Sequence, residues 1–208
     1  MIEPALLRHL GPRLAHVTAQ ANVPGIVRHG LLPAATLARA CGVDPRDIIL
    51  RSERRALRGP AHAATLNHQL PILHGRAAAD RIVDGHDAAS WAELLDARVF
   101  FWPERAMRAF GRSLARDLDA LVLWFDTARL LAAAPDRFAL SPINSGNFRQ
   151  GGAHARRGAW LFVPVVSGLD AFRVNRQRHG AGRGRDAVRE VSLCGALAPE
   201  AVAAARIE

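Results

Sequence analysis

An α+β domain is the fold class this sequence predicts, on three observations. Short apolar runs of strand length recur along the chain, the clearest being Ala120 to Phe125 (ALVLWF). Between them lie segments of unequal length whose apolar residues repeat at helical spacing. No internal repeat and no regular strand-helix-strand rhythm orders these elements, which argues for mixed packing over a doubly wound parallel sheet. At 208 residues the chain can bury a real core, and one domain over residues 1–208 is the expected organisation.

Ile2 to Leu10 has helical spacing and stops at Gly11-Pro12, after which Leu14 to Val17 reads as a strand. Asn22 is placed to cap a helix that opens with Val23-Pro24 and closes at Gly30. A second helix is expected over Ala34 to Ala40, and a third, begun by Asp44-Pro45, around Ile48 to Leu57, where Arg51, Arg54, Arg55 and Arg58 would line it. Gly59 to Asp87 reads as a long loop region with a possible strand at Ala63 to Leu66. Ala88 to Leu95 is a helix, Arg98 to Trp102 an aromatic and β-branched strand ended by Pro103, and Glu104 to Arg116 another helix. The ALVLWF run predicts a central strand covered on both faces, with Asp126 as cap of the next helix. A strand at Phe138 to Leu140, a Ser-Pro-Ile-Asn-Ser-Gly loop, an apolar run at Trp160 to Val166 and a short helix at Leu169 to Val174 follow. Asn175 to Asp186 is basic and Gly-rich, Val188 to Cys194 alternates as a strand, and Pro199 to Ala205 reads as a terminal helix.

The residues are 50% hydrophobic and 23% charged, the balance of a folding chain and not of a disordered one. There is no Lys, so all 28 basic residues are Arg and the formal charge is +9. That charge has two readings: GC-rich codon usage, or an affinity for polyanions such as nucleic acid. Two cysteines, Cys41 and Cys194, are too few for a disulfide framework and fit a reducing compartment. The first residues lack a signal-peptide core, and no apolar run approaches the roughly 20 residues that span a bilayer. A cytoplasmic protein without membrane contact is expected. The nine His are scattered, and His62, His68 and His74 have no ligand spacing, so no metal site is predicted. Dinucleotide-fold glycine fingerprints, phosphate-binding loops, zinc-protease helices and serine-hydrolase elbows are all missing.

Three segments stand out. Leu14-Ala15-His16-Val17-Thr18 runs into Asn22-Val23-Pro24-Gly25 and the turn Gly30-Leu31-Leu32; Val99-Phe100-Phe101-Trp102-Pro103-Glu104-Arg105-Ala106-Met107 is an aromatic strand; Arg189-Glu190-Val191-Ser192-Leu193 is a late strand with a carboxylate. In this order they resemble the DarT family of ADP-ribosyltransferases and related bacterial domains. The chain departs from that pattern in carrying Phe and Trp where many relatives carry Tyr, and in the Arg-rich loop before Glu190.

The resemblance implies a split mixed or antiparallel sheet with flanking helices, and NAD as co-substrate. It implies Glu190 as catalytic residue, with His16 on the adenosine ribose, Thr18 fixing the strand edge, and Phe101 or Trp102 packing on nicotinamide. Alternation puts Phe101 on the face opposite Phe100 and Trp102, so only one of those sets can face the cleft. Asn144 and Ser145 are candidates to bind NAD or position the acceptor, and Arg51 and Arg54 to hold the pyrophosphate. Arg178, Arg183 and Arg185 lie where the family places its acceptor-selecting loop, and flexible Gly with Arg suits a phosphate backbone. The expected activity is ADP-ribosyl transfer to nucleic acid or protein, in a toxin or phage-defence setting, with an antitoxin or ADP-ribose hydrolase as possible partner. A non-catalytic nucleic-acid-binding module and an NAD glycohydrolase stand as rival readings.

Overall fold

A computed structural model describes residues 2–75, 80, 83–107, 119–148, 156–180 and 187–208. Helix α1 (Pro4–Leu10), strand β1 (Arg13–Ala19), helix α2 (Val23–His29) and helix α3 (Ala34–Ala40) follow the sequence expectation closely. Asn22, however, does not cap α2. Its side chain acts across the chain, with Nδ2 donating to Thr18 Oγ1 (3.1 Å) and the Thr65 carbonyl (3.0 Å) while Oδ1 accepts from the Thr65 amide (2.7 Å).

The helix expected around Ile48 to Leu57 is replaced by a 3₁₀ turn at Pro45–Ile48 and a strand, β2 (Arg55–Arg58), paired antiparallel with β3 (Ala63–Leu66). The chain leaves the helical path at Leu50, whose φ is 52° and whose amide donates to Gln69 Oε1 at 2.6 Å. A buried polar network therefore overrides local helical spacing. The stretch read as loop also contains α4 (Leu70–Leu73).

Helix α5 (Ala88–Asp96) is held at its start by a capping box between Asp87 and Ser90, and leads into β4 (Arg98–Pro103). Residues 104–107 are helical, and the other positions of the helix expected over Glu104 to Arg116 lie outside the described residues. Strand β5 (Ala120–Asp126) ends in Asp126, whose side chain accepts from the Arg129 amide to cap α6 (Thr127–Ala133). Then come β6 (Phe138–Ser141), β7 (Val163–Pro164), α7 (Gly168–His179), β8 (Glu190–Cys194), α8 (Pro199–Val202) and β9 (Arg206–Ile207). The apolar run at 160–166 is thus two 3₁₀ turns around a two-residue strand. Helix α7 extends through half of the segment read as loop because Phe172 and Arg176, one turn apart, are both buried.

Among the described residues, seven strands form one sheet in the order β7-β6-β8-β4-β1-β5-β9, and every ladder in it is antiparallel. The chain is therefore α+β. The predicted central strand, β5, lies one place from the edge, because its outer neighbour is the short β9; the middle position belongs to β4.

One feature of this sheet positions the site. β1 pairs with β5 along its whole length but with β4 through only Leu14↔Pro103 and Ala15↔Trp102. Continuing that register would set Val17 opposite Phe100. Instead the strands part, and the sheet is split between β1-β5-β9 and β4-β8-β6-β7.

The main core lies on one face, where Leu6, Leu10, Phe101, Phe125, Phe138 and Phe172 pack together. A second cluster around Trp91, Leu95, Phe148 and Phe162 covers the other face, and a third joins α3 to the β2-β3 hairpin through Ala38, Ile48, Leu57 and Leu66. Among the described residues no helix is long and apolar enough to cross a membrane.

Candidate active site

The split opens into a cleft of about 410 Å³, bounded by β1, α2, the β3 strand, β4 and the loop after β6. Its volume falls in the range of small-molecule sites. By alternation, His16 belongs with Leu14 to the face that packs the main core. It reaches the cleft because the strands part there: Nδ1 lies 2.9 Å from the Phe100 carbonyl and takes the place of a strand amide. A carbonyl only accepts, so Nδ1 carries the proton and Nε2 is left as an acceptor in the neutral ring. Burial holds the His16 pKa below its ordinary value, against the opposing effect of that hydrogen bond. At neutral pH His16 can therefore accept a hydroxyl proton but carries no charge.

Glu190 begins β8, opposite Ser141 at the end of β6, and is 2% exposed. The loop after Ser141 curls back over it. Ser145 donates its hydroxyl to Glu190 Oε1 at 2.7 Å and its amide to the same oxygen at 3.3 Å. The loop is fixed in turn by Trp91 Nε1, which donates to the Ser145 carbonyl at 3.1 Å, and by Asn144 Oδ1, which accepts from the Gly146 amide at 3.2 Å. Burial pushes the Glu190 carboxyl up to about 7; the Ser145 bonds and the charges of Arg157 and Arg98 oppose that rise. Ser145→Ala removes the hydroxyl bond that favours the carboxylate and keeps the backbone amide bond, so the Glu190 midpoint should move above about 7, read by NMR titration of labelled Glu side chains.

Most of the predicted residues meet here. His16, Thr18, Trp102, Asn144, Ser145, Glu190, Arg51 and Arg54 all line the cleft. Phe101 is not brought to it: fully buried, it packs edge-on to Phe125 in the main core, while Phe100 and Trp102 face the cleft. Arg51 is present but engaged, donating to Asp96 Oδ2 (2.7 Å) and Oδ1 (3.2 Å), the Ile48 carbonyl (2.9 Å) and the Asn67 carbonyl (2.5 Å). Its guanidinium is thus held to the fold at the cleft wall. Arg54 is exposed at the cleft edge. Arg178 sits on the exposed last turn of α7 and does not line the cleft; Arg183 and Arg185 lie outside the described residues.

The sequence reading missed three contributors. Arg98 lines the cleft, its guanidinium 4.0 Å above the Phe162 ring and 3.4 Å from Ser192 Oγ. Strand alternation from Trp102 through Phe100 would have found it. Trp91 and Arg157 carried no local signal: Trp91 acts on Ser145, which lies far along the chain, and Arg157 acts through the Asn147 carbonyl and the Phe148 ring. Among the described residues no group of three or more His, Cys, Asp or Glu could hold a metal ion.

The α2 turn that carries one wall is anchored by Gly30. Its φ is 83°, and a Cβ there would lie 2.0 Å from the Leu197 carbonyl, so the Leu31↔Leu197 bridge requires glycine.

Fold and site together define an α+β protein with a small-molecule-sized cleft floored by a buried carboxylate. The chain belongs to the DUF7002 family, described as a family of unknown function, which matches residues 12–202. No curated protein matches it. Among solved structures it is similar to Thermosipho africanus DarTG in complex with ADP-ribose, at 11% identity and a TM-score of 0.47, over 92% of this chain. The chain spans 42% of the length of that structure.

Proposed function

We propose that this chain is an NAD-dependent ADP-ribosyltransferase that cleaves the nicotinamide N-glycosidic bond and transfers ADP-ribose to a nucleic acid or protein acceptor. The observation that carries the reading is Glu190: a buried carboxylate on the cleft floor, fixed through one oxygen by Ser145. The His16, aromatic-strand and Glu190 segments, which resemble the DarT family, support it.

In this reading the bond between the ribose anomeric carbon and nicotinamide breaks, and nicotinamide leaves with the electron pair. Positive charge develops on the ribose, and the Glu190 carboxylate stabilises it. The acceptor's nucleophile then bonds to the anomeric carbon and loses its proton to Glu190, whose carboxyl burial pushes up to about 7. His16 Nε2 accepts from a ribose hydroxyl, and Trp102 in place of Phe101 packs on nicotinamide. Thr18 and Asn144 complete the NAD-side lining, and Arg54 at the rim faces the phosphates or the acceptor. A nucleic acid acceptor suits the net charge of +9. A toxin or phage-defence role, with an ADP-ribose hydrolase as antitoxin, would follow from such an activity.

The test incubates the protein with NAD labelled in its adenylate part and with DNA, RNA or lysate, following nicotinamide release and labelled product. Glu190-dependent transfer supports the reading. Glu190-dependent release into water alone identifies a glycohydrolase, and release independent of Glu190 rejects both. His16→Ala should raise the KM for NAD by about 10-fold with a smaller change in kcat, as expected for the loss of one hydrogen bond worth about 1 to 2 kcal/mol.

A further inference from the structure

Segment 156–161 runs beneath the loop that holds Glu190 and is pinned at several points. The Asp84 amide donates to the Arg157 carbonyl at 2.6 Å, beside a parallel bridge between Val83 and Arg157. Arg156 pairs with Asp84, and Trp160 Nε1 donates to Asp84 Oδ2 at 3.1 Å. Trp160 stacks on His179 of α7 with ring centroids 3.9 Å apart and planes 7° from parallel, and Asn175 Nδ2 donates to the Trp160 carbonyl at 2.9 Å.

This pinning places one side chain where a charge is costly. Arg157 is fully buried, its guanidinium carbon 4.0 Å above the Phe148 ring and its Nη2 2.7 Å from the Asn147 carbonyl. Asn147 and Phe148 directly follow the Asn144-Ser145-Gly146 turn, so Arg157 grips the far end of the loop whose near end grips Glu190. A planar fork that hydrogen-bonds a carbonyl while lying on an aromatic face is a geometry that Arg supplies and Lys does not. Burial lowers the Arg157 pKa to about 10, and attraction to Glu190 works against that fall.

We infer that Arg157 is a positioning residue of this site: it fixes the loop that holds Glu190, and its charge favours the Glu190 carboxylate. The inference deepens the reading of Glu190 as the catalytic residue and rests on it. Among the described residues, the groups that act on the Glu190 carboxyl are Ser145 from the loop, Arg157 from the pinned segment and Arg98 from β4, and neutral His16 lines the same cleft. Arg98 is partly open to the cleft, whereas Arg157 is sealed behind it. A bound substrate can screen the first but not the second.

The test is an NMR titration of the Glu190 side-chain carboxyl in Arg157→Met and Arg157→Lys, followed by the pH profile of nicotinamide release. In Arg157→Met the Glu190 midpoint should rise by roughly one unit. Arg157→Lys should return the midpoint toward wild type but leave faster amide exchange at Ser145, because charge is restored and the fork is not. The rising limb of the pH profile should shift with the midpoint. A folded Arg157→Met protein whose Glu190 midpoint is unchanged overturns the inference and leaves a merely structural arginine. Should that variant not fold, the wild-type Arg157 guanidinium resonances decide: they should titrate with the Glu190 midpoint, and a flat response overturns it. These titrations need no turnover, so wild-type protein that releases no nicotinamide refutes the proposed activity while the Arg157–Glu190 coupling is still read.

Discussion

Replacing Glu190 by Gln is expected to slow nicotinamide release by about 10²- to 10³-fold, the loss typical of one preorganised electrostatic group, while making the protein more stable above pH 7. Both effects come from the same burial. Gln keeps an acceptor oxygen for the Ser145 hydroxyl and amide, which lie at 2.7 and 3.3 Å, so the loop has no reason to move. What disappears is the charge that the developing ribose cation needs. The sign of the stability change follows from the direction of the pKa shift. Glu190 is pushed from an ordinary 4.5 up to about 7 in the folded chain, so the folded state holds its proton more tightly than the unfolded state. Its contribution is complete below about 4.5 and is lost as the pH rises through about 7. At pH 8 the wild type carries an ionised buried carboxylate with a penalty approaching about 3 kcal/mol, as an order of magnitude, and the Gln variant does not. Each kcal/mol corresponds to roughly 2 to 4 °C in Tm for a chain of this size. Thermal melts of both proteins at pH 5 and pH 8 check this: the Gln variant should gain little at pH 5 and several degrees at pH 8. Activity runs the other way. If the ionised form is the working one, kcat/KM of the wild type rises with pH through about 7. Equal melts at both pH values, together with undiminished release, would remove Glu190 from the site.

Local signals predicted the elements that are locally determined. Gly11, Pro24, Gly30 and Asp126 end or begin their helices as such residues should, because capping and backbone conformation are properties of a few neighbouring residues. Failures fall where distant partners decide. Ile48 to Leu57 has helical spacing, yet Leu50 hands its amide to Gln69 and Arg51 turns to Asp96, contacts between 19 and 45 residues away. The ALVLWF run reads as fully covered, but apolar content alone does not reveal that only a two-residue strand lies outside it. The same division runs through the site. Alternation separates Phe101 from Phe100 and Trp102, and the structure shows which set faces the cleft. His16 lies on the wrong parity for a cleft residue and reaches it only because β1 and β4 part after two pairs. Such a split is a tertiary event without a sequence signature of its own. Glu190 was legible as a candidate through resemblance; the Ser145 bonds that hold it and the Trp91 bond that fixes Ser145 were not.

Removal of Asp96 is expected to be the most damaging single change to the fold near the cleft, and more damaging than removal of its partner Arg51. The pair is nearly sealed, with side chains 11% and 8% exposed, and Asp96 also accepts from Gln69 Nε2 at 3.0 Å. Breaking a buried pair from one side costs about 3 to 5 kcal/mol because a charge is left without compensation. The two halves differ in how they can escape that state. Burial already pushes the Asp96 carboxyl up, against the bonds from Arg51 and Gln69, so in Arg51→Met it can take a proton and become neutral. A guanidinium has no such exit, since it does not deprotonate in proteins. Asp96→Ala therefore leaves the Arg51 guanidinium without its carboxylate partner. Arg51→Met should accordingly be rescued by lowering the pH toward 5, whereas Asp96→Ala should not. Urea unfolding of both variants and of the double variant Arg51→Met/Asp96→Leu at pH 5 and pH 8 measures this. The double variant should be more stable than Asp96→Ala, since no buried charge remains. Arg51→Met protein that stays as stable as wild type at pH 8 but loses affinity for NAD would return Arg51 to the role of phosphate anchor. The four hydrogen bonds that hold its guanidinium against Asp96, Ile48 and Asn67 argue that stability, not affinity, is what changes.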